Sequence, residues 1–242
     1  MRAAVRAEML RAHSGFSTMA VVVLALFIPV IVLTSDDTLG KMNVLDARRA
    51  TLLVVAPLAW SFVAAAFAGS FSVTREYYYG SMSRSATQVG FARLFAGKAL
   101  AAMVTGLVLT AGLAMVWAGV VVAVLGVNGL TPVFSSGVIR TLVGALLGAV
   151  ARALLGTAVG WIAGNYYAAA AVVLAGPTAL ELALLGTAPD MARFLPGLSL
   201  AALADPQNHL NLLPAVAAVL VATAWTVLLS ALAWIVGRRR LT

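Results

Sequence analysis

The chain is a succession of long apolar runs separated by short polar stretches. Four runs lack charged residues and are long enough to cross a bilayer: Phe16–Leu33, Ala50–Thr74, Ala99–Val127 and Leu212–Val236. The third run stays uncharged as far as Gly137, but the turn residues Asn128–Gly129 indicate that its helix ends near Val127. Because a helix needs roughly 20 apolar residues to cross the hydrocarbon core, each run predicts one transmembrane helix.

The stretch from Thr141 to Gly186 contains two interior charges, Arg152 and Glu181, and has two readings. By charge it holds one long span, which gives five in total; by length it holds two spans with a tight turn near Gly164–Asn165. Six spans with a cytoplasmic N-terminus place ten basic residues on the cytoplasmic side and five outside, whereas five spans give seven against eight. Because basic residues collect on the cytoplasmic side, the sequence predicts six spans with both termini cytoplasmic.

Composition assigns the whole chain, residues 1–242, to a single all-α transmembrane domain. Hydrophobic residues make up 62% of it and charged residues 10%, which is too little polar surface for a soluble domain or a disordered chain. Long continuous apolar runs are typical of spanning helices, not of the short alternating strands of a membrane barrel. Orientation in the membrane explains the net charge of +8, so that charge does not indicate a nucleic-acid partner.

A ridge of small residues runs along the predicted fourth span. Five glycines and one arginine recur there at four-residue spacing: Gly144, Gly148, Arg152, Gly156, Gly160 and Gly164. Such a ridge predicts close helix–helix packing rather than a binding site, and it places Arg152 on the packed side. Arg152 and Glu181, the polar residues inside the membrane, differ in depth by on the order of 10 Å. We interpret both as structural, satisfied by neighbouring helices or water, and leave a direct ion pair between them open.

Two segments outside the spans have helical character. Residues 1–15 predict an amphipathic N-terminal interfacial helix, with Val5, Met9 and Ala12 on one stripe and basic residues beside it. That helix would lie either on the anionic inner leaflet or against a partner. The outer segment 187–211 contains three prolines and two short apolar runs, which predict a broken pair of short re-entrant or interfacial helices.

The cytoplasmic connection after the second span, residues 75–97, has the most distinctive composition. As one continuous helix it would gather apolar residues on a single side, opposite Arg84: Tyr78, Met82, Ala86 and Val89. Three consecutive tyrosines beside Glu76 fit poorly with a purely solvated connector, since aromatic residues favour interfaces.

The sequence lacks the clustered groups that catalysis needs. Its eight carboxylates are scattered, its two histidines fall on opposite sides of the predicted membrane, and it has no cysteine. We therefore predict no catalytic residue and no metal site. Gly97–Lys98 does not complete a phosphate loop, because Ala99 stands where Ser or Thr is needed. Energy would then come from a partner or a gradient, and Glu181 is the one acidic candidate for coupling an ion inside a span.

One motif resembles a known family. The motif begins with Glu76-Tyr-Tyr-Tyr-Gly-Ser-Met82 and continues with the basic residues Arg84, Arg93 and Lys98. It is similar to a pattern in the membrane subunits of ABC-2 type ABC transporters, E-Y-R-x-G-T-x followed by later basic residues. Tyr78 stands where that pattern commonly has Arg, and Ser81 replaces Thr. The resemblance implies the six-helix, type V exporter-like architecture of that family, with an outer broken-helix segment before span six.

By this resemblance, residues 75–97 would be the coupling segment that docks on a separate ATP-binding subunit. The coupling residues would be Arg75, Glu76, Tyr77, Tyr78, Tyr79, Gly80, Ser81, Arg84, Arg93 and Lys98. Glu76 and Arg84 would pair with charges of that subunit, and the three tyrosines would fill its groove.

The resemblance also implies the activity and the partners. The chain would be the permease of an ATP-driven exporter in the cytoplasmic membrane, assembled with two ATP-binding subunits and a second permease copy or paralogue. ATP and Mg would bind to the ATP-binding subunits, so this chain would have no cofactor and no enzymatic activity of its own. Alanine- and valine-rich spans suggest an amphiphilic, drug-like or lipid-like substrate. The alternatives are a gradient-driven secondary transporter, a non-transporting membrane anchor or immunity factor, and a small membrane enzyme acting on lipid.

Overall fold

The structure, a computed structural model, describes residues 6, 8–10, 16–35, 40, 42, 45–204 and 212–241. Regular structure within these residues is helical. The helices that lie wholly within them are α1 Phe16–Ser35, α2 Ala47–Val55, α3 Phe62–Tyr78, α4 Met82–Val89, α5 Phe91–Val127, α6 Ser136–Ala163, α7 Tyr166–Ala175, α8 Leu182–Thr187, α9 Pro189–Ala192, α10 Pro196–Ala204 and α11 Ala215–Leu241. A 3₁₀ turn, Ala56–Ser61, joins α2 to α3, and a π-helical turn, Gly176–Glu181, joins α7 to α8.

Several of these helices are suited to a bilayer. Within the described residues, five helical segments are long and apolar enough to cross a membrane: Ala47–Tyr78, Phe91–Val127, Ser136–Ala163, Tyr166–Thr187 and Ala215–Leu241. Helix α1 corresponds to the first predicted span, but its apolar stretch Met19–Thr34 is shorter. The chain is therefore an all-helical protein whose long apolar helices fit a membrane-embedded domain, as the sequence predicts.

The stretch that had two readings from sequence forms two helices, and the turn lies where its length predicts it. Helix α6 ends at Ala163 because Gly164 adopts φ 61°, a left-handed conformation that favours glycine. Asn165 then caps α7, its side chain accepting a hydrogen bond from the backbone N–H of Ala168 at 3.0 Å. Each arm of this hairpin is long and apolar enough to cross a bilayer.

Helix α6 packs against α3, α5, α10 and α11, and its glycines permit the closest of these approaches. A methyl group at Gly156 would collide with the backbone of Ala66 in α3, and one at Gly160 would lie 2.8 Å from the carbonyl oxygen of Ser70. The predicted ridge is therefore a packing surface at these two positions, since any larger residue would separate the helices.

The other glycines of the ridge have different surroundings. A methyl group at Gly144 would meet the backbone of Leu203, so this glycine brings α10 close to α6. Open space surrounds the corresponding position at Gly148. Gly164 forms the turn, and a methyl group there would collide with the Arg240 guanidinium of α11. The ridge thus contacts three different helices, α3, α10 and α11, rather than one continuous neighbour.

The two segments predicted outside the spans are described in part. Helices α9 and α10 occupy residues 189–204 of the outer segment 187–211, of which residues 205–211 lie outside the described part of the chain. Of the predicted N-terminal helix 1–15, residues 6 and 8–10 are described and are helical.

Candidate partner-docking site

The connection between α3 and α5 begins with a glycine-terminated helix end. Gly80 has φ 63°, a conformation that ends a helix without steric cost for glycine. Its N–H donates to the carbonyl of Tyr77 at 3.2 Å, and the N–H of Ser81 donates to the carbonyl of Glu76 at 2.9 Å. These two bonds form a Schellman motif, which satisfies the last carbonyls of α3 and fixes the direction in which the chain leaves it.

The break at Gly80 shows that the prediction of one continuous helix was wrong. Because α4 starts only at Met82, Tyr78 does not share its packed side: Tyr78 is 67% exposed, whereas Met82 is 2% exposed. Tyr77 packs inward instead, with its ring edge-on to Trp161 at a centroid distance of 6.0 Å.

The rest of α4 has the predicted orientation. Met82, Ala86 and Val89 belong to the apolar cluster around Trp161, and Arg84 lies on the exposed side. The helix therefore lies with its apolar side against the bundle and presents its basic residue outward.

A buried ionic cluster forms the base of this connection. Lys98, in α5, is fully buried, and its ammonium donates to Glu76 Oε1 at 2.8 Å, to the Ser72 carbonyl at 2.9 Å and to Glu8 Oε2 at 3.0 Å. Both carboxylates are buried too. The three donors of the ammonium thus have three oxygen partners, which join the N-terminal helical residues, α3 and α5.

The structure places two of the predicted coupling residues inside the chain rather than on its surface. The carboxylate of Glu76, expected to meet a charge on a partner, faces Lys98 inside the chain, and Lys98 is itself covered. Both residues act as positioning groups, because they hold the ends of α3 and α5 together beneath the surface.

The same connection also has exposed tyrosine and arginine side chains. Tyr79 is 72% exposed, and its ring packs edge-on against Tyr78 at a centroid distance of 5.2 Å. Arg84 and Arg93 are also exposed. Aromatic side chains in water are unfavourable unless something covers them, so this pair indicates a contact surface.

The turn between α6 and α7 adds two more tyrosines to the same end of the bundle. Tyr166 packs edge-on against Phe71 of α3 at a centroid distance of 5.7 Å, and Tyr167 is 70% exposed. An open cavity of about 240 Å³ has these lining residues: Phe71, Arg75, Tyr78, Tyr79, Tyr166 and Tyr167. We name the exposed set Tyr78, Tyr79, Arg84, Arg93 and Tyr167 the tyrosine surface.

Sequence reasoning missed some members of this site. Tyr166 and Tyr167 follow directly on the Gly164–Asn165 turn, on the side predicted to be cytoplasmic, and that position is the signal that could have found them. Glu8 offered no comparable signal, because its partner Lys98 lies 90 residues away.

The end of α11 meets the same end of the bundle. Arg240 donates from Nη1 to the carbonyl of Trp161 at 3.0 Å and from Nη2 to the carbonyl of Ile162 at 2.8 Å. These carbonyls belong to the last turn of α6, where no intrahelical donor remains for them. The guanidinium therefore caps α6 and brings the basic end of α11 beside the tyrosine surface.

A second buried ionic cluster lies inside the bundle and joins the two intramembrane residues that the sequence left unconnected. Glu181 Oε1 lies 3.6 Å from Arg152 Nη2, and the two oxygens of Glu181 accept the backbone N–H groups of Gly197 and Leu198 at 3.0 and 2.8 Å. Those N–H groups are at the start of α10, where a helix favours a negative charge. The Arg152 guanidinium also lies over the ring of Phe62, 5.0 Å from its centroid.

Within the ranges that the structure describes, no group of three or more metal-ligating side chains could hold an ion. No protein-family model, curated protein or solved structure matches the chain. The family resemblance therefore stays an expectation that depends on the motif beginning at Glu76.

Proposed function

We propose that this chain is the permease subunit of an ATP-driven ABC-2 type exporter in the cell membrane, with six spans and both termini in the cytoplasm. The tyrosine surface is the observation that supports this proposal most directly. It presents exposed aromatic and basic side chains at one end of the bundle, and Tyr and Arg are enriched among the residues that dominate binding energy in protein interfaces. A separate ATP-binding subunit is the partner that fits this surface.

The buried base gives the surface a mechanical connection to the spans. Lys98 lies in α5, Glu76 in α3, and Glu8 in the helical residues near the N-terminus, and the ammonium of Lys98 bonds to all three segments. Because three hydrogen bonds from one buried ammonium hold these segments together, displacement of α4 by a partner would move α3 and α5 as one unit. Such coupling would convert ATP-driven closure of the partner into a change of angle between spans.

The gradient-driven alternative has less support. It depends on Glu181, whose oxygens already accept two backbone N–H groups and face Arg152. A proton or sodium ion would have to displace these partners at each cycle, at the cost of leaving buried donors unsatisfied. A partner that hydrolyses ATP needs no such site in this chain.

The proposed assembly has two copies of the ATP-binding subunit, which hold ATP and Mg, and a second copy or paralogue of the permease. The translocation path would run between the two permeases. Large apolar side chains on the outer faces of α5 and α11 are exposed in the isolated chain, among them Met115 and Val216, so these faces are free for lipid or for a second permease. An amphiphilic, drug-like or lipid-like substrate would suit such apolar walls.

Site-specific photocross-linking tests the partner. With p-benzoylphenylalanine in place of Tyr79, we expect a cross-link to a protein whose sequence contains the phosphate-loop motif of ATP-binding subunits. The matched control is the same probe at Phe134, an exposed aromatic residue at the other end of α6, which should give no such product. If no phosphate-loop protein is captured at Tyr79, or the same protein is captured equally at Phe134, the proposal is wrong.

A charge-reversal series then tests the interface with the captured subunit. Arg84→Glu should lower co-purification of that subunit about tenfold, since the new carboxylate would repel the acidic group expected to pair with Arg84. Arg84→Lys keeps the positive charge and should largely retain co-purification. Transport of an amphiphilic dye by the purified complex in proteoliposomes separates an exporter from a non-transporting anchor. An exporter moves the dye when ATP is added, whereas the complex of an anchor would hydrolyse ATP without moving the dye.

A further inference from the structure

A basic cavity lies at the end of α6 that is remote from the tyrosine surface. It opens between the start of α2 and the start of α6 and has a volume of about 530 Å³. Its lining residues, which we name the arginine cavity, are Asp46, Arg48, Arg49, Leu52, Ser135, Ser136, Gly137 and Arg140. The two helices that form it each begin a segment able to cross a membrane, so the cavity lies at the level where a span leaves the bilayer.

Local capping and one long-range hydrogen bond build this cavity. Asp46 starts α2 by accepting the backbone N–H of Arg49 at 2.8 Å, and Ser135 starts α6 with its side chain toward the N–H of Val138. The hydroxyl of Thr51 accepts the N–H of Val133 at 3.1 Å. This bond fixes the segment before α6 against α2, and so brings Arg140 to the same cavity as Arg48 and Arg49.

The charges of the cavity are unbalanced. Arg48, Arg49 and Arg140 are all exposed, and none of their guanidinium groups has an ion-pair or hydrogen-bond partner among the described residues. Asp46 is the carboxylate of the lining, and it already caps α2. Three positive charges against one negative charge, in a concave site, raise the local concentration of anions.

We propose that the arginine cavity binds a phosphate group, supplied either by a phospholipid headgroup or by a soluble phosphate ester. A guanidinium offers paired N–H donors that match the oxygens of phosphate, and three of them converge here. The volume lies within the range of small-molecule sites. Leu52, which is buried, gives the cavity an apolar wall on the side of α2.

This inference does not depend on the proposed function. It concerns binding by the chain alone, without a partner or ATP, and the cavity shares no residue with the tyrosine surface. Under the six-span topology, its three arginines account for most of the basic residues on the outer side, where the orientation rule predicts few. Their convergence on one cavity gives those exceptions a common purpose.

Native mass spectrometry of the detergent-purified chain, titrated with phosphatidylglycerol or phosphatidylcholine, tests the lipid source. Calorimetry with glycerol 3-phosphate tests the soluble source. We expect saturable binding of one phosphate-bearing ligand, and Arg48→Gln with Arg140→Gln should weaken it at least about tenfold, because charge-assisted hydrogen bonds are lost. Binding of phosphatidylglycerol but not of glycerol 3-phosphate assigns a headgroup, and binding of both assigns the phosphate group itself.

Arg238→Gln with Arg239→Gln is the matched control, since it removes two exposed charges from the last turn of α11. It should change the affinity less than about twofold, as expected for charges remote from the ligand. Arg48→Lys with Arg140→Lys keeps the charge and should retain part of the binding, and unchanged thermal unfolding shows that each variant is folded. Equal loss in both Gln pairs, or no saturable binding of any phosphate ligand, would overturn the proposal.

Discussion

Among the described residues, two buried ionic clusters join helices of this bundle, and they differ in how fully their cations are hydrogen-bonded. The ammonium of Lys98 has three oxygen acceptors within 3.0 Å. The guanidinium of Arg152 faces Glu181 at 3.6 Å and the ring of Phe62, while its Nε and Nη2 atoms have no hydrogen-bond partner. The cation of the first cluster therefore uses all three of its donors, whereas the cation of the second leaves two nitrogen atoms without an acceptor.

The difference separates a stiff region from an adaptable one. Three hydrogen bonds from one buried ammonium hold the junction of α3, α5 and the N-terminal residues in one arrangement. The Nε and Nη2 atoms of Arg152 can donate to a new acceptor without first breaking a hydrogen bond. Glu181 also closes a π-helical turn, a feature found frequently at functional sites. We therefore expect rearrangement of the bundle to start where the π-helical turn Gly176–Glu181 meets α10.

The largest effect is expected from Lys98→Met. The substitution removes the ammonium that pairs with both buried carboxylates, so the free energy of unfolding should fall by about 3–5 kcal/mol. Thermal unfolding in detergent measures the loss. The control adds Glu8→Gln and Glu76→Gln, which removes both carboxylate charges and should restore much of the stability. A single variant as stable as the parent would contradict the idea of a stiff base.

Arg152→Met should cost less, about 2–3 kcal/mol, because Glu181 keeps the two N–H groups at the start of α10. The same unfolding assay applies, and the double variant with Glu181→Gln should recover part of the loss. A cost equal to that of Lys98→Met would mean that the two clusters are equivalent.

Gly197→Ala sharpens the comparison without removing a charge. A methyl group there would collide with Arg152 Nη2 and Glu181 Oε2, and should lower the free energy of unfolding by about 1–2 kcal/mol. Gly148→Ala, where a methyl group meets open space, is the control and should be neutral or slightly stabilising. Equal melting temperatures for the two variants would show that the Arg152 cluster yields freely.

The smallest effect is expected from Glu8→Gln. The amide oxygen can still accept a hydrogen bond from Lys98, and Glu76 keeps its charge, so the loss should stay below about 1 kcal/mol. Hydrogen exchange at the start of α5 should rise only slightly. A loss of unfolding free energy as large as that of Lys98→Met would mean that Glu8 provides most of the stabilisation in this cluster.

Local rules made part of this structure predictable. The turn at Gly164–Asn165 follows from the left-handed preference of glycine and the capping ability of asparagine, both properties of the residues themselves. The packed side of α4 follows from apolar spacing at Met82, Ala86 and Val89. Such features need no information about distant parts of the chain.

Long-range geometry accounts for what the sequence did not predict. The rise of straight helices predicts a difference in depth between Arg152 and Glu181. In the structure Glu181 ends a π-helical turn, and the two charged groups lie 3.6 Å apart. Tyr77 packs inward and Tyr78 is exposed, whereas a continuous helix would place Tyr78 on the packed side. The helix ends before Gly80, and a continuous helical pattern does not take that break into account. The approach of Arg140 to Arg48 depends on the bond from Val133 to Thr51, 82 residues apart.

The clasp of Arg240 on α6 has a consequence for the order in which the protein matures. The carbonyls of Trp161 and Ile162 receive their donors from a residue 79 and 78 positions later in the chain. While the ribosome is still synthesising the intervening helices, the end of α6 must rely on water or lipid headgroups. Only the arrival of α11 supplies these donors, so the end of α6 is completed after the helices between α6 and α11 have been synthesised.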